Sequence, residues 1–302
     1  MIFDSIIIGK GPAGITAGIY LKRANWNVLI IGKDGGALEK TKKIDNYYGF
    51  RDTISGKDLL KEGFLQAERL GVELETDEVL SIEKEEYFIV ETRNNKYKAK
   101  TVILATGTNR NTPKIKGIKE FEGRGVSYCA ICDAFFYRNK DVAVLGAGDY
   151  AIKEARTLLP VAKSVTILTN GEQIVENRDE TLEEFIIEDR EISEITGNEK
   201  LERVILKQRK DENVEPNVQE NRSDVLLDGV FVAIGTASST DFAKKLGVFV
   251  EDNNIKVDEN MATNLEGLYA CGDCTGGLLQ ISKAVYEGSK AGIACAKYLR
   301  GV

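Results

Sequence analysis

The sequence predicts an α/β protein built from two Rossmann-like, three-layer domains, and three observations predict it. Two glycine fingerprints, Gly9-x-Gly11-x-x-Gly14 and Gly146-x-Gly148-x-x-Ala151, each follow an apolar β-type run and open a helical pattern. That strand–loop–helix context is what gives such glycines their weight as a nucleotide-binding signal. The chain has 302 residues, enough for two domains. Further strand-to-glycine segments, "TVILATG" and "LYACGD", lie far apart in sequence yet share the form that places backbone beside a bound ligand.

The elements follow in order. Residues 2–8 read as a buried strand, "GKGPAG" as a turn, "ITAGIYLKRAN" as a helix and "NVLIIG" as a second strand. In such a loop one glycine makes the tight turn, one lets backbone approach a pyrophosphate and one lets the helix pack on the strand. The helix N-terminus adds amide donors and the positive end of its dipole. The acid expected to face a ribose at the end of the second strand is missing: Gly32 stands there, followed by the flexible "GKDGGAL". A strand then runs into Ala105-Thr106-Gly107. In the middle of the chain, "VAVLGAGDYAIKEARTLLPVAKSVTILTNGEQ" repeats the unit, and Thr169, Asn170 and Gly171 stand where a ribose meets an acid or a 2′-phosphate an arginine. Near the C-terminus a strand runs into Gly272-Asp273, with a helical "QISKAVYEGSKAGIACAKYLR" behind it.

Composition bounds the function. Apolar residues make up 42% and charged residues 29%, with four prolines, which describes a globular chain. The apolar start "MIFDSIIIGKG" contains Asp4 and stops at a glycine loop, so it reads as a strand rather than a signal peptide, and a cytosolic protein is expected. The net charge of -7 disfavours nucleic acid as a partner. The stretch from Arg178 to Asp224 accounts for all of it, whereas the first 64 residues are slightly basic, with Lys40, Lys42 and Lys43 clustered. There is no histidine, so any proton donor is a carboxylic acid, Tyr, Lys or Cys.

The five cysteines are Cys129, Cys132, Cys271, Cys274 and Cys295. Cys129-Ala-Ile-Cys132 has the spacing of a reversible disulfide, and a helix starting near it would favour a thiolate. Cys271-Gly-Asp-Cys274 forms a second pair. The two pairs lie too far apart in sequence for a zinc ribbon, so no metal site is expected. Cys271 and Cys274 read as small buried residues, with an auxiliary redox pair as the other reading, and Cys295 reads as core.

The motifs "GKGPAG", "ATG", "GRGVSYCAICDA", "GAGDYA", "GVFVAIG" and "ACGD" occur in the order and approximate spacing of the low-molecular-weight thioredoxin reductases. The chain resembles that family over its whole length, and closest to it are the ferredoxin-dependent flavin members that lack an NADPH site. The resemblance implies an FAD domain made of residues 1–112 and 240–302, around a central domain of residues 113–239. It implies FAD contacts from Gly9, Gly11, Pro12, Ala13, Gly14, Gly32, Lys33, Gly36, Ala37, Leu38, Val79, Thr106, Gly107, Gly272 and Asp273, with flavin-side contacts from Asn46, Gln280 and Ile281. Two departures stand beside the last group: Tyr48 replaces the family's usual proline and Leu279 its usual arginine. For catalysis it implies Cys132 as the flavin-side sulfur, Cys129 as the sulfur that attacks thioredoxin through a mixed disulfide, and Asp133 as the general acid. A homodimer is implied as well.

The central domain departs from the family. Where relatives carry a histidine and arginines to grip a 2′-phosphate, this chain has "TNGEQIVENR", with no base before Arg178. Losing two or three charge-assisted contacts of roughly 1.5–3 kcal/mol each would cost decades of affinity. Lys153 replaces a usual glutamate, and Tyr150 puts a ring where a small residue leaves room for a pyrophosphate. Some members of the superfamily take single electrons from ferredoxin, and the resemblance to them implies ferredoxin as the electron donor here, docking near Lys40, Lys42 and Lys43. A ferredoxin near -400 mV feeding thioredoxin near -270 mV leaves roughly 6 kcal/mol for two electrons. The alternative is an NAD(P)H-dependent thioredoxin reductase with an atypical nucleotide pocket. A redox-sensing flavoprotein without catalysis is a third reading, against which the complete Cys129, Cys132, Asp133 set argues.

Overall fold

The computed structural model describes residues 2–107, 113–174, 182–208 and 224–301, apart from the side chains of residues 131 and 132. Arg178 and, within the acidic stretch after it, residues 179–181 and 209–223 fall outside the described residues. The chain divides into two compact units, Met1–Arg110 with Ala237–Val302, and Asn111–Thr236.

The first unit opens with β1 (Ile2–Ile8), α1 (Pro12–Arg23) and β2 (Val28–Ile31), followed by a short 3-10 helix at Gly36–Lys40, then α2 (Gly56–Arg69), β3 (Glu73–Glu75), β4 (Val79–Lys84), β5 (Phe88–Thr92) and β6 (Lys96–Leu104). These strands form one sheet in the order β3-β2-β1-β6-β5-β4. β1 runs parallel to both β2 and β6. Its residues Ile6, Ile7 and Ile8 are all buried, as a continuous apolar run must be in a parallel strand covered on both faces. β4 and β5 add an antiparallel flank.

The central unit contains β7 (Val126–Ser127), α3 (Ala130–Asp133), β8 (Asp141–Leu145), α4 (Asp149–Leu158), β9 (Ser164–Leu168), β10 (Ile186–Glu188), β11 (Ile192–Gly197), β12 (Leu201–Leu206), β13 (Asp224–Leu226) and β14 (Gly229–Val232). Its parallel sheet has the order β10-β9-β8-β14-β7, and β11-β12-β13 form a separate antiparallel sheet. Ala143, Leu145 and Val230 of the first sheet share a buried cluster with Ile195, Leu201 and Val204 of the second, so the antiparallel sheet is the covering layer on one face.

The chain then returns to the first unit through α5 (Ser239–Lys245), β15 (Val250–Glu251), β16 (Asn254–Ile255), β17 (Leu268–Ala270) and α6 (Ile281–Leu299). β17 adds to the first sheet in parallel beside β6. α6 lies tight against α1, because a Cβ at Gly288 would stand 2.2 Å from the Ala13 carbonyl oxygen and one at Gly292 2.7 Å from that of Ala17. The first unit resumes at Ala237, just ahead of residue 239, for a local reason. Ser238 caps α5 through a capping box with Asp241, and Ser239 bonds Thr106, which ties both serines to the first unit.

Candidate functional site

Each unit carries a set of residues that can do chemistry. In the first, β1 ends at Ile8 and α1 starts at Pro12, leaving Gly9, Lys10 and Gly11 to make the turn. Gly9 has a φ of 120°, and a Cβ there would lie 2.3 Å from the Ala105 carbonyl oxygen. A Cβ at Gly14 would lie 2.0 Å from the Gly9 carbonyl oxygen. At Gly11 no atom stands within 4 Å of the Cβ position, and no side chain caps the helix. The loop is closed behind and open in front, so the first amides of α1 face space that a pyrophosphate can fill. These residues fit the diphosphate of FAD.

Around this loop the expected cofactor residues take distinct positions. Lys33 pairs with the buried Glu78 at 3.0 Å, fixing the approach to Val79. Gly35 and Gly36 donate their amides to Glu39 and Asp34, so the loop bearing Gly36, Ala37 and Leu38 is held by its own carboxylates. Pro12, Leu38 and Ile281 line one cleft of about 390 Å³ together with Ile15, Tyr47 and Phe50. Asn46 donates to Gln280 at 3.2 Å, and Tyr48 and Leu279 are both exposed nearby in sequence. Lys40, Lys42 and Lys43 are exposed. Thr106 and Ser239 exchange hydroxyl and amide bonds of 2.8–3.1 Å, and Gly107 follows with a φ of 77°.

Gly32 stands in the cofactor loop where the ribose-facing acid is missing. The structure shows what fills the space of the missing acid: a Cβ at Gly32 would stand 3.0 Å from Cγ of Lys10. The Lys10 ammonium reaches on to Thr76 Oγ1 at 2.6 Å.

The loop after β17 is gripped by α6. Lys283 Nζ donates to the carbonyl oxygens of Gly272 (2.8 Å) and Gly276 (2.6 Å) and to Thr275 Oγ1 (2.9 Å). Glu287 accepts the Gly272 amide and the Thr275 hydroxyl, each at 2.8 Å, and lies 3.0 Å from Lys283. Within this frame burial pushes the Asp273 carboxyl above the usual carboxylate range, opposed by the Lys283 charge.

In the central unit Cys129 is buried and disulfide-bonded. The Cys132 backbone belongs to α3; its side chain lies outside the described residues. The Ala130 amide at the start of α3 donates to Glu154 Oε2 at 2.9 Å, across from α4. Ser127 Oγ donates to Asp133 Oδ2 at 2.6 Å and accepts the Cys129 amide at 3.1 Å. The Asp133 amide in turn donates to the Cys129 carbonyl at 3.2 Å. A disulfide cysteine and a carboxyl group are thereby fixed on one turn, the pairing that thiol exchange with proton transfer requires. Immediately after it, Phe135 and Phe136 stand 73% and 67% exposed, edge to face.

The central fingerprint also keeps its cradle. A Cβ at Gly146 would lie 2.3 Å from the Ala233 carbonyl oxygen, while the Cβ position at Gly148 has nothing within 4 Å. Tyr150, whose ring is expected to take up pyrophosphate space, is buried. At the end of β9, Thr169 is buried and Asn170 Oδ1 accepts the Ile192 amide at 2.7 Å; both serve the turn. The charge at this sheet edge comes from the neighbouring strand. Glu188, in register with Leu168, takes a two-pronged grip from Arg190, Nε at 2.7 Å and Nη2 at 2.5 Å.

Cys271, Cys274 and Cys295 are buried free thiols. Burial pushes Cys271 well above its ordinary range, Cys274 up to about 12 and Cys295 up to about 11. They read as packing groups, inert as nucleophiles. Among the described residues no cluster of acids and cysteines could hold a metal ion, and no helix is long and apolar enough to cross a membrane.

Lys10, Ser127, Glu154, Lys283, Glu287 and the Glu188–Arg190 pair were not singled out for these roles from sequence. Only Lys10 carried a local signal, a charge between the first two fingerprint glycines.

Comparison with known proteins places these features. The family model for pyridine nucleotide-disulphide oxidoreductases matches residues 3–288. The thioredoxin reductase of Listeria innocua is 36% identical over 308 residues, covering 99% of this chain and 94% of the relative. That of Bacillus subtilis is 35% identical, with 99% and 95% covered. Among solved structures, the atypical thioredoxin reductase TRi from Desulfovibrio vulgaris Hildenborough superposes with a TM-score of 0.88 at 37% identity, covering 99% of this chain and 98% of that one. A ferredoxin-flavin thioredoxin reductase from Clostridium acetobutylicum gives a TM-score of 0.68 at 33% identity, with 100% and 99% covered.

Proposed function

The chain belongs to the pyridine nucleotide-disulphide oxidoreductase family, and from that premise we propose that it is an FAD-dependent thioredoxin reductase working through a Cys129–Cys132 disulfide. The observation that carries this reading is the turn on which disulfide-bonded Cys129 and Asp133 are held together by Ser127. The Gly9–Gly14 loop and the Asp273 loop would hold FAD, which once reduced by the donor would supply the electron pair for opening the disulfide. Cys129 is then the thiolate that attacks the disulfide of thioredoxin, giving a mixed disulfide that Cys132 resolves. Asp133 supplies the proton that a departing thiolate takes up. The exposed Phe135 and Phe136 offer an apolar surface beside the turn for a protein partner.

For the donor we adopt a reduced pyridine nucleotide in place of ferredoxin. The family description names that nucleotide, the relatives from Listeria and Bacillus are named simply as thioredoxin reductases, and the Gly146–Gly148 cradle is open. The Glu188–Arg190 pair is one charged group, among the described residues, beside the strand end where a ribose would lie. Ferredoxin stays as a second reading, supported by the neutral Thr169–Asn170 strand end and by the likeness to the Clostridium protein. An anaerobic titration separates the two. Flavin bleaching by NADPH or NADH alone supports the nucleotide; bleaching only by reduced ferredoxin overturns it and returns the Lys40–Lys43 cluster as the docking candidate.

A further inference from the structure

Dinucleotide-binding folds usually end their second strand in an acid that faces the adenosine ribose. Here that position is Gly32, and its space is occupied. A Cβ at Gly32 would stand 3.0 Å from both the backbone N and the Cγ of Lys10. The Gly32 backbone is not left-handed, so the obstacle to a side chain is Lys10, its backbone N as much as its stem, rather than strain.

We propose that Lys10 is a binding residue for the adenosine end of FAD, its ammonium taking the place of the ribose-facing carboxylate. The proposal rests on FAD binding at the first fingerprint. Lys10 lies between Gly9 and Gly11, on the loop that receives the diphosphate, and its side chain crosses the carboxyl ends of the parallel strands from Gly32 to Thr76 just after β3. Ligands of open α/β sheets bind at those carboxyl ends.

The chemistry agrees. Lys10 is only 8% exposed, and lysines are seldom so buried unless paired. Burial lowers its pKa, while Asp34 and Glu39 oppose that shift; burying the amine carries a desolvation cost that an apolar side chain of equal length would avoid. Of the three ammonium donors, Thr76 accepts one, and the Phe64 ring centroid lies 5.9 Å from the nitrogen. The others suit ribose hydroxyls or a diphosphate oxygen, and a positive charge attracts the diphosphate that a carboxylate would repel.

The test uses flavin-stripped protein and two probes, FAD and FMN, read by quenching of flavin fluorescence. FMN lacks the adenosine end. Lys10→Met is expected to weaken FAD binding roughly 10- to 100-fold, the value of a hydrogen bond from a charged group. FMN binding and the unfolding temperature of the stripped protein stay as in wild type. Wild-type FAD affinity in Lys10→Met overturns the proposal. So does an equal loss of FAD and FMN binding with a lower unfolding temperature, which would make Lys10 a brace of the loop. Wild-type protein that takes up neither flavin would sink the FAD reading itself, a separate outcome.

Discussion

The Ser127 hydroxyl sits 2.6 Å from an Asp133 carboxylate oxygen while accepting the Cys129 amide at 3.1 Å, so one small side chain ties both ends of the redox turn. Loss of a hydrogen bond to a charged group costs roughly 1.5–3 kcal/mol, or at least about tenfold in rate if it is needed in the transition state. Ser127→Ala is therefore expected to slow thioredoxin reduction about tenfold with flavin reduction by the donor unchanged; Ser127→Thr retains most of the rate. Stopped-flow measurement of the two half-reactions checks this, and an unaltered exchange rate in Ser127→Ala would show that Asp133 needs no such support.

Phe135 and Phe136 expose most of their rings directly beyond the turn, which costs a free protein hydration and benefits it only when a partner covers them. Replacing both by alanine should raise the KM for thioredoxin at least about tenfold, as removal of a central aromatic contact does. Turnover of a small aromatic disulfide should change little. Equal losses on both substrates would place the pair in the turn's own packing.

Gly11 and Gly14 separate a binding effect from a folding effect. Gly11→Ala adds a methyl into space with no protein atom within 4 Å, whereas Gly14→Ala drives one to 2.0 Å from the Gly9 carbonyl oxygen. The first variant should fold as well as wild type and lose FAD; the second should fold poorly with or without flavin. Circular dichroism melts of stripped protein, beside flavin content after purification, report the two outcomes.

Much of this was legible in the sequence because the signals were local. Strand β1, the Gly9–Gly14 turn and helix α1 are adjacent in the chain, so apolar run, glycine spacing and helical period are read in one window. The Cys129-x-x-Cys132 pair is equally local. The supports were not legible, because each joins residues distant in sequence: Ala130 to Glu154, Gly272 to Glu287, Lys10 to Thr76. Tyr150 shows the limit from the other side. Its position in the motif gives the ring's place in sequence but not its direction, and its burial depends on packing that no window of sequence contains.

The buried thiols set a pH limit on stability. Cys274 and Cys295 have folded pKa values raised from an ordinary 9 to about 12 and about 11, chiefly by burial. Below pH 9 both states keep these protons and stability is unaffected. Above it the unfolded chain ionises first, so stability falls as pH rises through the folded values, by up to about 1.4 kcal/mol per pH unit for each thiol. Unfolding temperatures should be level at neutral pH and drop steeply on the alkaline side. The same burial predicts that Cys271, Cys274 and Cys295 of oxidised protein react with a thiol reagent at pH 8 only after denaturation. Fast reaction in the native state would place at least one of them at the surface.

The last prediction concerns the nearly buried Lys283–Glu287 pair, which holds the Asp273 loop from α6. Their side chains are 15% and 13% exposed at 3.0 Å separation, so neither charge is well hydrated and each depends on the other. Removing one partner leaves the second uncompensated, at roughly 3 kcal/mol or more, whereas replacing both is far milder. Lys283→Met should therefore lower stability sharply and, by freeing the carbonyl oxygens of Gly272 and Gly276, weaken FAD binding about tenfold, a loss equal to one ordinary hydrogen bond. Lys283→Met with Glu287→Gln should recover most of the stability and little of the FAD affinity, since the lysine's bonds to the loop stay broken. Recovery of both together would mean that the pair acts only through charge balance. Recovery of neither would mean that Glu287 itself positions the loop through the Gly272 amide and the Thr275 hydroxyl.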